Sequence, residues 1–401
     1  MIINKIYHLA DLHIRNLQRH KEYKEVFKKF LKQVEDDKIQ DSIIYLAGDI
    51  AHAKTEMSPE LIREISWFLT ECSKLRETFL ITGNHDCNLN NNHRLDVLTP
   101  IIDNLNNPHI HYLRDTGVYN YNNITFVVYS ILDKKENWPL AKDIEGENKI
   151  CLFHGPVNKA QTDIGYVVSS NSFTVDMFEG FDMAMLGDIH KRQTFGEGWE
   201  HVAYAGSMVQ QNHGEMLENH GYLLWDVPTR TFTEHHLHND YGFLTIDVVN
   251  GQIPQWVYDE IDTKLPKNPR LRLRFTNTEA SEMKLRITEL KELFNVAEVT
   301  VTRTDTIGQL KTNSKLNKNI VGSTSHAKAA VDKINLILLN NTLTPIIYIN
   351  QVKGKFQRYD DVVARINGQD VSFGIVNGSA SGVEIDLNYG GTTGNSIGDI
   401  L

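Results

Sequence analysis

Short apolar runs alternate with longer amphipathic segments over about the first 230 residues of the chain. The short runs are rich in β-branched and aromatic residues, so they predict strands. In the longer segments apolar residues recur every three or four positions, which is the spacing of one helix face. We expect strands at residues 5–9, 42–47, 78–82, 124–131, 150–153, 183–186, 202–204 and 222–227. Because the strands follow one another more densely in the second half, we predict an α/β fold, a two-sheet β-sandwich flanked by helices.

Two helices are predicted between the first three strands. The first carries an apolar stripe that runs from Tyr23 to Val34. The second begins at Ser58-Pro59-Glu60, where a serine cap is followed by proline at the first helical position. Both helices are expected to pack their apolar faces on the sheet.

The pattern changes near residue 233, where strict alternation of apolar and polar side chains begins. We expect strands at residues 243–248, 270–275 and 296–302 and a helix at residues 281–294. This predicts a smaller α+β capping domain over residues 233–306, after a first domain of residues 1–232. One strand face carries Arg270, Arg272 and Arg274. These arginines could contact DNA phosphates, or they could line an ordinary exposed and charged strand face.

Residues 307–401 have a different character from the rest of the chain. The polar run at residues 311–325 is typical of a linker. Helical spacing follows, with apolar positions at Ala327, Ala330, Val331, Ile334 and Leu338. The last fifty residues hold nine of the 26 glycines, which indicates short strands, turns and a glycine-rich tail.

Composition narrows the class of protein. The 401 residues are 41% hydrophobic and 23% charged, as in ordinary globular proteins, and no apolar run approaches the roughly 18 residues of a membrane span. Met1 leads directly into a strand-like segment, so we expect no signal peptide. Three cysteines without CxxC spacing favour a reducing, cytoplasmic setting. The net charge of −10 opposes a wholly basic DNA-coating surface but leaves a local basic groove open.

Five short segments offer metal-ligating or acid–base side chains, each directly after a strand-like run. They are Asp11-Leu12-His13, Gly48-Asp49-Ile50-Ala51-His52, Gly83-Asn84-His85-Asp86, His154-Gly155 and Gly187-Asp188-Ile189-His190. Oxygen ligands with a few imidazoles suit Mn²⁺, Mg²⁺ or Fe²⁺. Two such ions roughly 3.5–4 Å apart can clamp a phosphate and activate water. A ligand shared by both ions must be a carboxylate, and Asp49 is the natural candidate.

The order of these segments resembles the calcineurin-like metallophosphoesterases. His52, three residues after Asp49, further resembles the branch of DNA double-strand-break nucleases that includes SbcD and the meiotic-recombination-eleven nuclease. The segments at residues 204–207, 210–215 and 220–222 are similar to the closing part of that nuclease core. The resemblance covers about residues 1–230, extends over the next 75 as the capping domain of that family, and does not reach the remainder.

The resemblance implies a role for each residue of the site. The first metal would be held by Asp11, His13, Asp49 and His190, and the second by Asp49, Asn84, His154 and Asp188. His85 would protonate the leaving group or stabilise the transition state, and His52 would help to position the phosphodiester. The two ions would be Mn²⁺ first of all, with Mg²⁺ or Fe²⁺ as alternatives.

One position departs from the pattern of the family, which has histidine two residues before the position of His190. Here that residue is Asp188. An aspartate can bind a hard divalent ion, so we expect Asp188 to be a ligand of the second metal. The alternative is that Asp188 binds no metal and leaves the second site partly open.

The function that the resemblance implies is that of a Mn²⁺-dependent DNA exonuclease and endonuclease. It would act in DNA end processing, double-strand-break repair and recombination, as a homodimer with an SbcC-type coiled-coil ATPase and without membrane attachment. The sequence contains no Gly-x-x-x-x-Gly-Lys-Ser/Thr phosphate loop, and residues 327–338 are the expected docking region for the ATPase. Two alternatives stay open: a phosphatase or cyclic-nucleotide phosphodiesterase on the same fold, and a catalytically weakened subunit that positions DNA.

Overall fold

The computed structural model describes residues 2–91, 93–169 and 172–303, together with four short strands further along the chain. The chain forms two compact units, Met1–Thr304 and Asp305–Leu401. Strands and helices are numbered below in chain order.

The first sheet is mixed and has six strands. In spatial order they are β12 (Thr231–His236), β11 (Gly221–Asp226), β1 (Lys5–Leu9), β2 (Ser42–Leu46), β3 (Thr78–Leu80) and β4 (Ile110–Tyr112). Strands β1 to β4 run parallel, whereas β11 pairs antiparallel with β1 and β12 antiparallel with β11. The carboxyl ends of β1, β2 and β3 therefore meet at one edge of this sheet.

The second sheet is also mixed and has six strands. In spatial order they are β5 (Gly117–Tyr121), β6 (Ile124–Tyr129), β7 (Lys149–His154), β8 (Met183–Gly187), β10 (Val202–Tyr204) and β9 (Gln193–Thr194). Strands β6, β7, β8 and β10 run parallel, and the two edge strands pair antiparallel with their neighbours.

The two sheets enclose a shared apolar core because successive side chains of each strand point to opposite faces. On β2, Ile43 and Tyr45 pack in the interior, together with Phe126 and Leu152 of the second sheet. Ile44 instead faces outward, into a second core that lies between the first sheet and its helices. These continuous apolar strands are buried on both faces, as parallel strands usually are.

Three helices cover the outer face of the first sheet. They are α1 (His20–Asp36), α2 (Pro59–Leu75) and α3 (Leu98–Leu105). Phe27 of α1 stacks on Phe68 of α2 with ring centroids 4.2 Å apart. The Ser58 hydroxyl accepts a hydrogen bond from the Leu61 amide at 3.2 Å, which caps α2 as the sequence predicts.

A third sheet follows, built from three parallel strands. They are β13 (Tyr241–Val249), β14 (Asn268–Thr276) and β15 (Glu298–Arg303), connected by α4 (Gln255–Glu260) and α5 (Ala280–Leu293). Its apolar face packs against Val257 of α4 and Leu290 of α5. The boundary that the sequence suggests at residue 232 falls inside β12, so the first sheet continues to His236 before the third begins.

The second unit contains two antiparallel pairs of strands. One pair is β16 (Leu336–Leu338) with β17 (Ile347–Ile349), and the other is β18 (Asp361–Ile366) with β19 (Gln369–Ile375). The helix expected from Ala327 to Leu338 is wrong at its carboxyl end, because Leu336–Leu338 is a strand that pairs with β17. An apolar run this short satisfies either periodicity, so strand pairing decides between them. The rest of that expected helix and the expected linker lie outside the described residues.

The predicted fold class is confirmed: two mixed sheets pack face to face and are flanked by helices. The eight strands expected in the first 230 residues are present, with ends that differ by at most two residues. The sequence did not reveal β4, β5, β9 and β12, which all lie at sheet edges. None of the helices in the described part of the chain combines the length and the apolar content that a bilayer span requires.

Candidate metal centre

The polar segments lie where parallel strands end. Asp11 and His13 follow β1, and Asp49 follows β2. His154 is the last residue of β7 in the opposite sheet, and Asp188 comes directly after β8. Because both sheets turn the carboxyl ends of these strands toward the same edge of the sandwich, residues far apart in the sequence converge there.

Several of these residues have a left-handed backbone that side chains other than glycine rarely adopt. The φ angles are 53° at Asp11, 45° at His13, 52° at Asp49 and 102° at Asp188. Such conformations cost about 1–3 kcal/mol each and cluster at functional sites. The turns are also tightly packed, since a methyl group at Gly83 would overlap the backbone nitrogen and Oδ1 of Asp49. The fold therefore tolerates strained backbone conformations at these positions, and these conformations direct the side chains toward one another.

One group of possible ligands consists of Asp11, His13 and His190. One ligand atom from each lies within 4.8 Å of the others, and the Nε2 atoms of the two histidines are 2.9 Å apart. Two imidazoles and a carboxylate that converge in this way form a suitable set for a divalent ion.

A second group consists of Asp11, Asp49 and His154, again with ligand atoms within 4.8 Å of one another. Asp49 connects the two groups, because its Oδ2 lies 3.4 Å from His13 Nε2 and its Oδ1 lies 3.4 Å from His154 Nε2. Each carboxylate oxygen thus faces a different group. This is the arrangement expected of a carboxylate shared by two metal ions.

Among the buried side-chain polar atoms that lack a hydrogen-bond partner within the described residues, two lie in this site. They are Nε2 of His154 and Oδ1 of Asn84. The other ring nitrogen of His154, Nδ1, donates to the Ala47 carbonyl at 2.7 Å, so Nε2 is the nitrogen that a metal would bind in place of a proton. Unpaired buried acceptors are costly unless something binds them. The residues present therefore fit a pair of divalent cations.

The pKa shifts of the buried carboxyl groups also indicate a site for cations. Burial raises the pKa of Asp11 to about 7, and burial also raises the pKa of Asp188. Burial alone would raise the pKa of Asp49 too, but His154 and His13 hold it well below its usual range. Three carboxyl groups removed from water destabilise one another as anions, and cations bound among them would relieve this.

Asp188 lies inside the site and at the second group. Its Oδ1 accepts a hydrogen bond from Asn84 Nδ2 at 3.2 Å and lies 3.8 Å from His154 Nε2. Its backbone N–H donates to both carboxylate oxygens of Asp11, at 3.0 and 3.2 Å. The carboxylate therefore lies beside Asn84 and His154, and its binding of a metal stays a prediction.

His85 and His52 form a pair at the rim of the site, where both are partly exposed. His85 Nδ1 donates to the His52 carbonyl at 2.6 Å, and the two rings stack with centroids 5.4 Å apart. His52 Nδ1 lies 3.5 Å from His13 Nδ1. Burial, followed by the charge of Arg15, lowers the pKa of His52 to about 4. All nine side chains that the sequence assigned to metal binding or catalysis are thus brought together.

Two supporting carboxylates have roles that the sequence analysis did not assign. Glu215 Oε1 accepts a hydrogen bond from His190 Nδ1 at 2.8 Å, which orients the ring so that Nε2 faces the site. Asp86 accepts hydrogen bonds from the backbone N–H groups of Ala51, at 2.8 Å, and Gly83, at 2.9 Å, and so ties the second and third segments together. Both residues stand in segments that the sequence had singled out, but only the fold shows what they contact.

The three arginines of β14 differ in their surroundings. Arg270 is buried, its Nη2 pairs with Glu22 Oε2 at 2.8 Å, and its guanidinium stacks over Phe243. Arg274 is exposed and forms a two-point ion pair with Asp247. Arg272 is exposed and has no ion-pair partner in the described part of the chain. Arg272 and Arg274 are thus exposed on this strand face, whereas packing against α1 buries Arg270, and contact of these arginines with DNA stays a prediction.

The two paired arginines predict different losses of stability. Arg270→Met should lower the free energy of unfolding by about 2 kcal/mol, because it removes a buried charged hydrogen bond to Glu22 and leaves Arg19 as the cation beside that carboxylate. Arg274→Met should cost no more than about 0.5 kcal/mol, since its ion pair is exposed to solvent. Urea denaturation of both variants measures the difference. Equal losses would contradict the structural role of Arg270.

Comparison with known proteins agrees with this geometry. The sequence pattern of the calcineurin-like phosphoesterases matches residues 4–237, which contain every residue of the site. The chain is also 41% identical over 308 residues to the uncharacterized protein R555 of Acanthamoeba polyphaga mimivirus, an alignment that covers 74% of this chain and 22% of that protein. The chain thus spans less than a quarter of the length of this curated relative. Because the matched pattern covers more than half of the chain, the protein belongs to the calcineurin-like phosphoesterase family, whose members are metal-dependent hydrolases of phosphoester bonds.

Proposed function

We propose that the protein is a Mn²⁺-dependent DNA nuclease, both exonuclease and endonuclease, that hydrolyses phosphodiester bonds by a two-metal mechanism. In this proposal it acts in DNA end processing, double-strand-break repair and recombination. The observation that carries the proposal is the pair formed by His52 and His85, which extends the site beyond the two ligand groups.

His85 has the geometry of a group that acts on the leaving oxygen. Its Nδ1 is held by the His52 carbonyl, so Nε2 is the ring nitrogen left for a substrate. Its backbone N–H donates to Asp49 Oδ1 at 2.8 Å, which fixes its distance from the shared carboxylate. A histidine in this position can donate a proton to the departing alkoxide.

His52 favours a diester over a monoester. A phosphodiester carries a second ester substituent, and it needs contacts beyond those that hold the reacting phosphorus. The His52 ring lies beside His13 and stacks on His85, so it reaches the outer rim of the site. Burial and Arg15 keep its pKa low, so at neutral pH it offers a hydrogen bond rather than a charge.

Two divalent ions, when bound, would supply Lewis-acid activation of the phosphate and of the attacking water. The protein would hold them with Asp11, His13 and His190 on one side and with Asn84, His154 and Asp188 on the other. Asp49 would be shared by both. The backbone hydrogen bonds of this shell keep the ligands in place without rearrangement during turnover.

Manganese is the proposed ion, and Asp188 supports this choice. A carboxylate at this position makes the second ligand group richer in oxygen, which suits Mn²⁺ or Mg²⁺ better than a further imidazole would.

Asp188→Ala should lower the affinity of the second site for Mn²⁺ by at least about tenfold, since even supporting residues of metal sites have effects of this size. Titration calorimetry measures the loss, and Asp143→Ala, an exposed carboxylate elsewhere, is the matched control. Diffraction at the manganese edge that placed no Asp188 oxygen within bonding distance of a metal would contradict this role.

The decisive test of the function is digestion of a linear DNA duplex in Mn²⁺, Mg²⁺ and Zn²⁺, alongside hydrolysis of bis(4-nitrophenyl) phosphate and of a phosphomonoester. A nuclease degrades the duplex, fastest in Mn²⁺. Turnover of the small esters with no cleavage of DNA at low salt would favour the phosphatase or cyclic-nucleotide phosphodiesterase instead. Specific DNA binding with no hydrolysis of any ester would favour the subunit that only positions DNA.

Partners belong to the proposal as well. We propose that the protein forms a homodimer, that Arg272 contacts DNA phosphates, and that an SbcC-type coiled-coil ATPase joins the complex. The resemblance to the nuclease branch supports the ATPase and the dimer, and the exposed position of Arg272 supports the DNA contact. Light scattering on the purified chain tests the dimer. Co-purification of the ATPase with the full chain, and its loss after deletion from residue 307, tests the docking.

A further inference from the structure

A cavity of about 300 Å³ opens beside the metal centre. Asp188 and His190 form the side of the cavity that faces the centre. The remaining wall is mainly apolar, with Ile164, Tyr166 and Ile189 as its apolar side chains, and the carboxylates of Asp163 and Glu215 also line it. An apolar wall that adjoins a polar, cation-binding site is suited to a ligand that has both an anionic and an apolar part.

The apolar wall is presented by a short ordered hairpin. The Gly165 N–H donates to the Thr162 carbonyl at 3.0 Å, and the Thr162 N–H donates to the Tyr166 carbonyl at 2.9 Å. The carboxylate of Asp163 accepts a hydrogen bond from the Met216 N–H at 3.2 Å, which ties the hairpin to the loop that carries Glu215. The hairpin is thus held at a defined distance from His190.

The side chains at the hairpin tip are unusually exposed for their type. Ile164 is 74% exposed and Tyr166 is 61% exposed. Val167, next to Tyr166 in the chain, and Met216, whose backbone is bonded to Asp163, are also exposed. Exposed apolar patches on otherwise polar surfaces usually mark binding sites.

A positively charged side chain also lines the cavity. Lys191 lines the same cavity, directly after His190, and it forms no ion pair with the acidic side chains of the described residues. Among the groups that a nucleic acid offers, a base has flat apolar faces and a phosphate is an anion. A tyrosine ring with a nearby lysine is complementary to both.

We propose that this cavity is a nucleotide subsite, in which the base next to the scissile phosphate stacks on Tyr166 and Ile164 and its further phosphate contacts Lys191. The inference rests on the proposed function and names the part of the substrate strand that the site holds. Stacking on an aromatic side chain tolerates any base, so the subsite would bind DNA without reading its sequence.

The test compares a substrate that has a base with one that lacks it. In thymidine 5′-(4-nitrophenyl phosphate) and its 3′ isomer, 4-nitrophenolate is by far the better leaving group of the two ester oxygens, so its release reports cleavage of that bond, and each compound has an analogue without the base. For one isomer we expect the base to raise kcat/KM roughly 5- to 150-fold in the wild type, the range of stacking on an aromatic ring. Tyr166→Ala should bring this ratio close to one, and Tyr166→Phe should restore it.

Two further variants complete the design. Leu285→Ala removes a comparably exposed apolar side chain on α5 and should leave the base effect unchanged. Lys191→Gln should abolish any preference for substrates with an additional phosphate on the nucleoside. A base effect that is absent from both isomers, or that persists in Tyr166→Ala, would overturn the subsite. If neither these esters nor a DNA duplex is hydrolysed while methyl 4-nitrophenyl phosphate is hydrolysed, the proposed function itself fails.

Discussion

Asp49→Asn should reduce hydrolysis of phosphodiesters by about 1000-fold or more. The two oxygens of Asp49 face the two ligand groups, at 3.4 Å from His13 Nε2 and 3.4 Å from His154 Nε2. An amide has one oxygen to offer and would turn its NH₂ toward one of the histidines. Because two metal ions contribute several kcal/mol to the transition state, and each 1.36 kcal/mol is a tenfold change in rate, loss of the shared ligand should affect activity severely.

A second measurement separates loss of metal from loss of fold. In the wild type, Mn²⁺ at 100 times its Kd should stabilise the protein by about 2.7 kcal/mol against urea, and the variant should lose most of this gain. Asp103→Asn, an exposed carboxylate on α3, is the matched control and should behave as the wild type. Full Mn²⁺ stabilisation together with full activity in Asp49→Asn would refute the shared-ligand role.

His85→Gln should lower kcat by about 10²- to 10⁴-fold, the usual contribution of a positioned general acid. The side chain keeps a hydrogen-bonding group of similar length, but it has no ionisable proton to give. His85 converges with His13 and His52 but belongs to neither of the two groups that contain an aspartate, so Mn²⁺ affinity and DNA binding should change little. Single-turnover cleavage of DNA, combined with Mn²⁺ titration, separates the chemical step from binding.

The results for His85→Gln distinguish a role as general acid from a role as metal ligand. If the variant loses Mn²⁺ affinity in proportion to its activity, His85 is a metal ligand rather than an acid. If it keeps the wild-type rate with a leaving group as acidic as 4-nitrophenol but loses activity on DNA, general acid catalysis is supported, since a good leaving group needs no proton. His236→Gln on the exposed face of β12 serves as the control.

Periodicity along the chain was sufficient for the fold class. The buried parallel strands are continuous apolar runs, and α1 and α2 carry stripes that only a helix can turn to one side. Edge strands such as β5 and β12 have mixed composition because one side of each faces solvent, so periodicity did not reveal them. The short run at residues 336–338 has too few residues for either period to be decisive.

The residues of the candidate site could be predicted from the sequence about as well as the fold class. Segments such as Gly83-Asn84-His85-Asp86 combine ligand chemistry with the turn residues that a strand end needs, so type and order already indicated metals. The arginines of β14 show the limit of this reasoning. Alternation places all three on one face, yet Arg270 is buried against Glu22 and Phe243 while Arg272 is exposed. What packs on a strand face is a property of the fold.

The sequence by itself determined the strand ends that carry ligands, the alternation of strands and helices, and the kinds of atoms at the centre, because these depend on local residue type and spacing. Only the tertiary structure decided which oxygen of Asp49 faces which histidine, that Glu215 orients His190, and that Tyr166 and Lys191 lie beside the centre. These relations join segments that are far apart in the sequence, such as those of Asp49 and His154. They follow from how the two sheets pack, which no local pattern encodes.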